Sequence, residues 1–365
     1  TGVQTCALPI FSRLSGMNKN KNKRWGMIAV ALAAVLLMGG CGSGGGKAGD
    51  GSAQPSGPEA GGSDGPTYSF RLAEAHPADY PTTKGDMKFA ELVKERTNGR
   101  ITIDVFPSAQ LGEEKAVIEQ VQLGAIEFTR VSTGPMAEFN KDFGVFSLPY
   151  IFDSDEHVWN FLLGETGMSM LDGLQSSGLQ GLGWYSSGSR SFYSAKPLKS
   201  IDDLKGKKIR VQENKLNLAI MDALGASATP MAYGEVYSSL QTGVIDAAEN
   251  NYPSYYSSKH YEVAPYLLLD QHQRVPEVLL VSKTVWDKLS EEDQAIIRQA
   301  ALDSIDYQRE EWAKYEKESE EAVRAAGVTI TEVTDLQPWK DAVKPVIESY
   351  RSEYRNVLDA IEAAK

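Results

Sequence analysis

Cysteine is nearly absent: Cys6 and Cys41 are the only two in 365 residues. That excludes a disulfide framework and a cysteine-based metal site in the folded body. Histidine is scarce as well. His76, His157, His260 and His272 are scattered, none at metal-ligand spacing. His157 and His260 read as ordinary helix or surface residues. Basic charge is in deficit, with a net charge of −12. It falls to −17 once the five basic residues of positions 1–40 are set aside. So acidic a body does not match phosphate backbones, which excludes nucleic acid as a partner. The one long apolar run, Met27–Met38, has about a dozen residues, short of the roughly 20 needed to cross a bilayer. There is no serine nucleophile elbow, no phosphate-cradling P-loop and no His-Glu-x-x-His. The glycines of "GLQGLGW" have the wrong spacing for a dinucleotide fingerprint.

What is present begins at Met17. "MNKNKNKRWGMIAVALAAVLLMGGC" has a basic segment (Lys19 to Arg24), the apolar run, and then Gly39-Gly40-Cys41. That order predicts a signal peptide over 17–40. A small pair before cysteine resembles the bacterial lipobox and implies lipidation of Cys41, with Met38 where leucine is more usual. Residues 1–16 precede this start, resemble translated sequencing adapter, and are expected to be non-native. Residues 41–66 are rich in Gly, Ser and Pro and predict a flexible tether. Such a tether would span roughly 25–30 Å end to end. The expected location is outside the cytoplasm, held to the membrane by lipid.

From Tyr68 the chain alternates. "YSFRLA" and "ITIDVF" predict strands, "KGDMKFAELVKERTNGR" a helix stopped at Asn98-Gly99, "GEEKAVIEQVQLG" a helix closed by Gly124, and "AIEFTRV" another strand. The alternation resumes with "KKIRV", "NKLNLAIMDALG", "ASATPM", "YGEVYSSLQTG" and "IDAAEN". Two α/β halves follow from this order. The stretch from Leu289 to Gly327 predicts one helix near 35 residues, N-capped by Ser290 with Asp293 three positions on. It would reach roughly 50 Å and so cross two domains. "WKDAVKPVIESYRSEYRNVLDAIEAA" predicts a last helix.

Polar residues cluster at strand ends, where ligands of open α/β sheets sit. Glu74 and His76 follow the first strand, and Arg130 and Ser132 end the third. Arg190 lies in "YSSGSRSFYSAKP", Tyr233 in "TPMAYGEVY", and Glu249, Asn250 and Asn251 end "IDAAENN". His272 and Arg274 come after "YLLLDQ". Arg210 stands between Ile209 and Val211, on the opposite face of the same strand. Lys208, Arg210 and Gln212 could be a solvated face. Arg210 could instead point into a cleft and receive an anion. Cationic donors, amides and an aromatic wall suit a hydroxylated carboxylate.

The run "LKGKKIRVQENKLNLAIMDALGASATPMAYGEVYSSLQTGVIDAAENNYPSYY" resembles the substrate-binding proteins of tripartite ATP-independent periplasmic (TRAP) transporters. So do "FPSAQLGEEKAVIEQVQLGAIEFTRVS", "FGVFSLPYIF" and "RVPEVLLVSKTVWDKLSEEDQAII". The resemblance runs from about residue 68 to the C-terminus. It implies a two-domain clamshell of the periplasmic-binding-protein type, with crossing hinge strands and a long domain-spanning helix. The expected division is 67–187 with 275–310 for the first domain, and 188–274 with 311–365 for the second. Arg210 resembles the arginine that grips the ligand carboxylate, and Arg190 a second arginine used by some members. Asn250, Tyr233 and His272 match polar and aromatic site positions. Glu74, His76, Arg130 and Ser132 are carried over as a ligand-dependent set, and Asn251 is a spare donor or acceptor for a hydroxylated ligand. "SRSFYSAKP" departs from the sialic-acid binders, which puts the role of Arg190 in question. The implied partners are a small organic acid and the membrane permease, with no cofactor or metal and no enzymatic turnover. "TRVS" and "HQRVPEV" favour a hexuronate or related sugar acid over a C4-dicarboxylate. A ligand sensor for a membrane kinase, or an extracellular sugar-acid lyase using Glu74 or His76 as base, are the rival readings.

Overall fold

A computed structural model of the chain describes residues 65–365. The signal peptide, Cys41 and nearly all of the tether lie outside the described residues, as do positions 1–16.

Two sheets organise the body. The first has strand order β2-β1-β3-β10-β4, formed by β1 (Tyr68–Ala73), β2 (Ile101–Phe106), β3 (Phe128–Ser132), β4 (Leu179–Tyr185) and β10 (Glu277–Ser282). β1 runs parallel to β2 and β3, while β10 is antiparallel to β3 and β4. β3, β4 and β10 are buried along their whole length. Both faces are covered, and β10 accordingly reads as a near-continuous apolar run, Val278 to Val281. Helix α1 (Pro81–Arg96) enters with Pro81 at its first turn, where the missing N–H costs nothing. It ends with Asn98 and Gly99 at positive φ, as its Asn-Gly stop predicts.

The second sheet has order β11-β9-β5-β8-β6-β7. Its strands are β5 (Arg190–Ser194), β6 (Lys208–Val211), β7 (Ser227–Pro230), β8 (Ala247–Asn250), β9 (Tyr266–Gln273) and β11 (Thr329–Glu332). Alternation divides its core between two faces. Phe192, Ile209, Val211 and Leu268 pack with Ile220, Trp339 and Val343 on one side. Tyr193, Ala248 and Leu267 pack with Val236, Tyr255 and Val323 on the other.

The long helix spans Glu291–Ala325, 35 residues, and the Ser290 side chain accepts from the Asp293 N–H as its cap. Asp293 does not complete a reciprocal box; its carboxylate pairs with Arg100. Ile297, Ala300, Ala301 and Ile305 lie in the first core and Val323 in the second, so this helix bridges the two lobes. The expected last helix is instead two, Gln337–Tyr350 and Arg355–Ala363. Trp339, Val343 and Val346 join the second core, whereas Tyr354 and Ile361 join the first. Residues 311–365 therefore do not all belong with the second sheet. The break at 351–354 lets the chain end return to the first lobe. His157 receives it there: its Nε2 lies 2.6 Å from the Ile361 carbonyl.

Candidate functional site

Sheet register brings the polar strand ends together. Ser191 of β5 stands opposite Asn250 of β8, and Arg190 opposite Gln273 of β9. In the first sheet, Glu277 of β10 stands opposite Ser132 of β3. The two sets face each other around a small cavity of about 20 Å³, well below the volume of an open small-ligand site. Its wall includes His76, Ser132, Arg190, Arg210, Tyr233, Asn250 and Asn251. Glu74, Arg130 and His272 are not in the wall but behind it.

The lobes touch across this cavity. Tyr80 Oη lies 2.8 Å from Ser254 Oγ. Gln212 Nε2 donates to Ser132 Oγ at 2.8 Å, and Asn214 Nδ2 donates to Ser147 Oγ at 2.9 Å. Two glycines permit the close approach. A Cβ on Gly134 would fall 2.3 Å from Gln212 Oε1, and one on Gly234 would fall 2.3 Å from Glu113 Oε1.

Three arginines among the described residues are buried, and their partners differ. Arg130 is clamped by three carboxylates, Glu74, Glu114 and Glu277. Arg190 meets Glu249 in a two-pronged pair, and its Nη1 donates to Asn250 Oδ1 at 3.0 Å. Burial opposes its charge, but Glu249 outweighs that and holds the Arg190 guanidinium above its ordinary value. Arg210 is 4% exposed. Its Nε and Nη2 donate to the Met231 carbonyl at 3.0 and 2.8 Å. Among the described residues no carboxylate lies within ion-pair distance of it. Burial, with the neighbouring Arg190 charge, lowers its pKa, while Glu249 acts the other way. A buried guanidinium with no counter-ion is a costly arrangement that an arriving anion would relieve.

The other expected residues are brought in as follows. His76 stacks on Tyr80 with ring centroids 4.0 Å apart and tilts against Tyr233 at 5.2 Å. Burial pulls its pKa down, against the charges of Glu277 and Glu114. Tyr233 is anchored by Ser258 Oγ at 2.9 Å. Asn251 caps the helix Tyr252–Ser257 by accepting from Ser254 N–H, and its Nδ2 donates to the Ser187 carbonyl at 2.9 Å. Glu74 takes hydrogen bonds from His76 N–H, Thr82 and Arg130, which use both of its oxygens. His272 stacks on Phe192 at 4.2 Å, pairs with Asp270 at 2.9 Å, and lies 3.8 Å from Glu249. Arg274 pairs with Asp155 and does not line the cavity. His157 and His260, read as helix or surface residues, both lie in helices and are buried. His260 fills the gap beside Tyr193, 2.7 Å from its hydroxyl.

Sequence reasoning missed Glu114, Glu277, Gln212, Ser187 and Ser254, all of which line the cavity. Gln212 carried a signal, since it lies two residues from Arg210 on the same strand face. Glu114 opens α2 (Glu114–Gln122), where an acid is ordinary. Glu277 opens an apolar strand. Neither position stands out locally. Burial and the charge of Glu277 push the Glu114 carboxyl up to about 7.

Residues 72–353 match the family of bacterial extracellular solute-binding proteins, family 7. A solute-binding protein of Chromohalobacter salexigens is 42% identical over 287 residues, covering 78% of this chain and 85% of that one. Among solved structures, a TRAP periplasmic solute-binding protein of Bradyrhizobium sp. BTAi1 in complex with galacturonate is 42% identical. It has a TM-score of 0.80 and covers 81% of this chain and 100% of that one. A counterpart from Pseudomonas putida F1 with bound D-glucuronate is 39% identical, with a TM-score of 0.79 and coverage of 81% and 97%.

Proposed function

The chain belongs to the bacterial extracellular solute-binding proteins of family 7, the substrate-binding proteins of TRAP transporters, and on that footing we propose that it captures a hexuronate or a related sugar acid in the cavity between its sheets. One observation carries the reading: Arg210 is the buried arginine of the cavity wall that lacks a carboxylate. A sugar carboxylate would supply the missing charge through paired N–H···O bonds, which a guanidinium presents in matched geometry. Asn250 stands beside it, fixed by Arg190. Tyr233 and His76 offer ring faces for the sugar.

The two lobes close around that ligand. An ion pair gains little in water, but the same pair strengthens when water leaves. Ligand contacts made from both sheets therefore favour the closed form, and that differential affinity moves the equilibrium. The closed form is the state offered to the membrane permease. We read the chain as a binder without turnover, carried outside the cytoplasm and anchored through lipid on Cys41. The first sheet with α1, α2 and the chain end forms one lobe, and the second sheet the other.

Calorimetric titration with D-glucuronate, D-galacturonate, succinate and malate tests the reading. The expected result is binding of at least one hexuronate in preference to both dicarboxylates. Binding of no carboxylate, or product formation on incubation with excess protein, would overturn it.

A further inference from the structure

Opposite Arg210 the cavity wall is acidic. Glu114 Oε1 and Glu277 Oε2 both accept from Arg130 Nη1, at 2.9 and 2.7 Å, and Glu114 Oε1 also accepts from Ser132 N–H at 3.0 Å. Glu74 takes the rest of the Arg130 guanidinium. One cation therefore faces three carboxyl groups, and the two that line the cavity carry the surplus. Glu114 Oε2 and Glu277 Oε1 accept no hydrogen bond from any described residue, and both residues line the cavity, so each keeps an acceptor free there. On the second lobe Arg190 is neutralised by Glu249, leaving Arg210 as the cationic pole. The cavity is thus polar end to end, cationic at β6 and acceptor-rich where β3, β10 and α2 meet.

We propose that Glu114 and Glu277 form a charge filter at the far end of the site, accepting hydrogen bonds from ligand hydroxyls and refusing a second carboxylate. The inference rests on the reading that Arg210 anchors the first carboxylate. A hydroxyl donates to these oxygens. A second carboxylate has no proton to donate, and it meets like charge with no cation to spare, since Arg130 is already shared among three acids. The filter selects monocarboxylates with many hydroxyls over diacids of the same length. The surplus also explains why the Glu114 carboxyl resists ionisation, through burial and the Glu277 charge, with Glu113 adding to it and His76 opposing.

A matched pair of ligands reads the filter. D-galactonate and D-galactarate share chain and stereochemistry and differ only in a terminal CH2OH against a carboxylate. Each competes with bound D-glucuronate by calorimetry at pH 8, on the native protein and on Glu277→Gln and Glu114→Gln. Galactarate is expected to compete at least fivefold more weakly than galactonate on the native protein, and each substitution should narrow that ratio toward one. General damage to the site would weaken both acids alike and leave the ratio unchanged. The filter is overturned if galactarate competes within fivefold of galactonate, if neither substitution moves the ratio, or if neither acid displaces glucuronate. A protein that binds glucuronate but fails these tests loses the filter alone; one that binds no hexuronate loses the anchoring role of Arg210 as well.

Discussion

Arg190 and Glu249 face each other from adjacent antiparallel strands, with Nη2 2.9 Å from Oε1 and both side chains almost wholly buried. The pair fixes Asn250 in the cavity wall without taking up Arg210. Removing one partner strands the other charge away from water. Glu249→Gln is therefore expected to destabilise the ligand-free protein by about 3–5 kcal/mol. Urea unfolding with an unchanged m-value checks this, and a loss below about 1 kcal/mol would contradict it.

Arg210 should behave in the opposite way. It already lacks a carboxylate, so Arg210→Met removes an uncompensated charge. The expected outcome is an unchanged or raised melting temperature with hexuronate binding abolished. Arg210→Lys keeps the charge but loses the planar fork, and affinity should fall more than fivefold, since a charged hydrogen bond contributes about 1.5–3 kcal/mol. A Lys variant that binds within fivefold of native would rule out paired N–H donation.

Closure has its own test. Gly134 leaves no room for a side chain against Gln212, whose Oε1, Cδ and Cβ lie 2.3, 2.7 and 3.2 Å from the place a Cβ would occupy. Gly134→Ala should weaken ligand binding at least fivefold, while the ligand-free melting temperature moves by less than about 2 °C. Equal loss of both would mean that the glycine serves packing within its own lobe rather than contact between lobes.

Stability should depend on pH in a particular direction. Glu114 and Glu316 are each pushed up to about 7, chiefly by burial. Carboxyls with raised values bind protons more tightly when folded, so their contribution is present at low pH and lost as pH rises through 7. His76 and His260 are both lowered by burial, His260 to about 3. Below about 6.5 the unfolded chain takes up those protons and the folded one does not, which works against stability as pH falls. Asp86 is raised by burial as well, so the melting temperature of the ligand-free protein should be higher at pH 6.5 than at pH 8. A monotonic fall from pH 8 downward would contradict this.

Cys41 supplies the remaining test. Cys41→Ser should abolish incorporation of radiolabelled palmitate and release the protein from membranes into the soluble fraction. Unchanged membrane association would rule out the lipid anchor.

The strand and helix pattern was legible because the periodicities are strong and the stops are clear, as at Asn98-Gly99 and Gly124. Arg210 was legible because alternation in "KKIRV" puts a cation opposite two apolar side chains. Its lack of a counter-ion was not, because Arg190 and Arg130 look equally available until register pairs them with Glu249, 59 residues away, and Glu74, 56 residues away. Glu277 was hidden for the same reason, since the strand that carries it is placed beside Ser132 only by a pairing across 145 residues of sequence. His272 sits with Asp270 and Glu249 in the layer behind the wall, a depth that strand alternation alone does not reveal. The break in the last helix had no glycine to mark it. Burial of Tyr354 and Ile361 against the first core decides it.

The order of strands in the first sheet bears on how the protein is made. β10 lies between β3 and β4, and it leaves the ribosome after the whole second sheet except β11. Until residue 282 has emerged, β4 has no neighbour to pair with, and the exposed edge of β3 stays open. Vectorial synthesis cannot finish one lobe before beginning the other. A chain that crosses a membrane unfolded is spared this problem, because export delivers every strand before any sheet must close. Premature folding in the cytoplasm would instead leave an unpaired β-edge, the kind of surface on which chains aggregate.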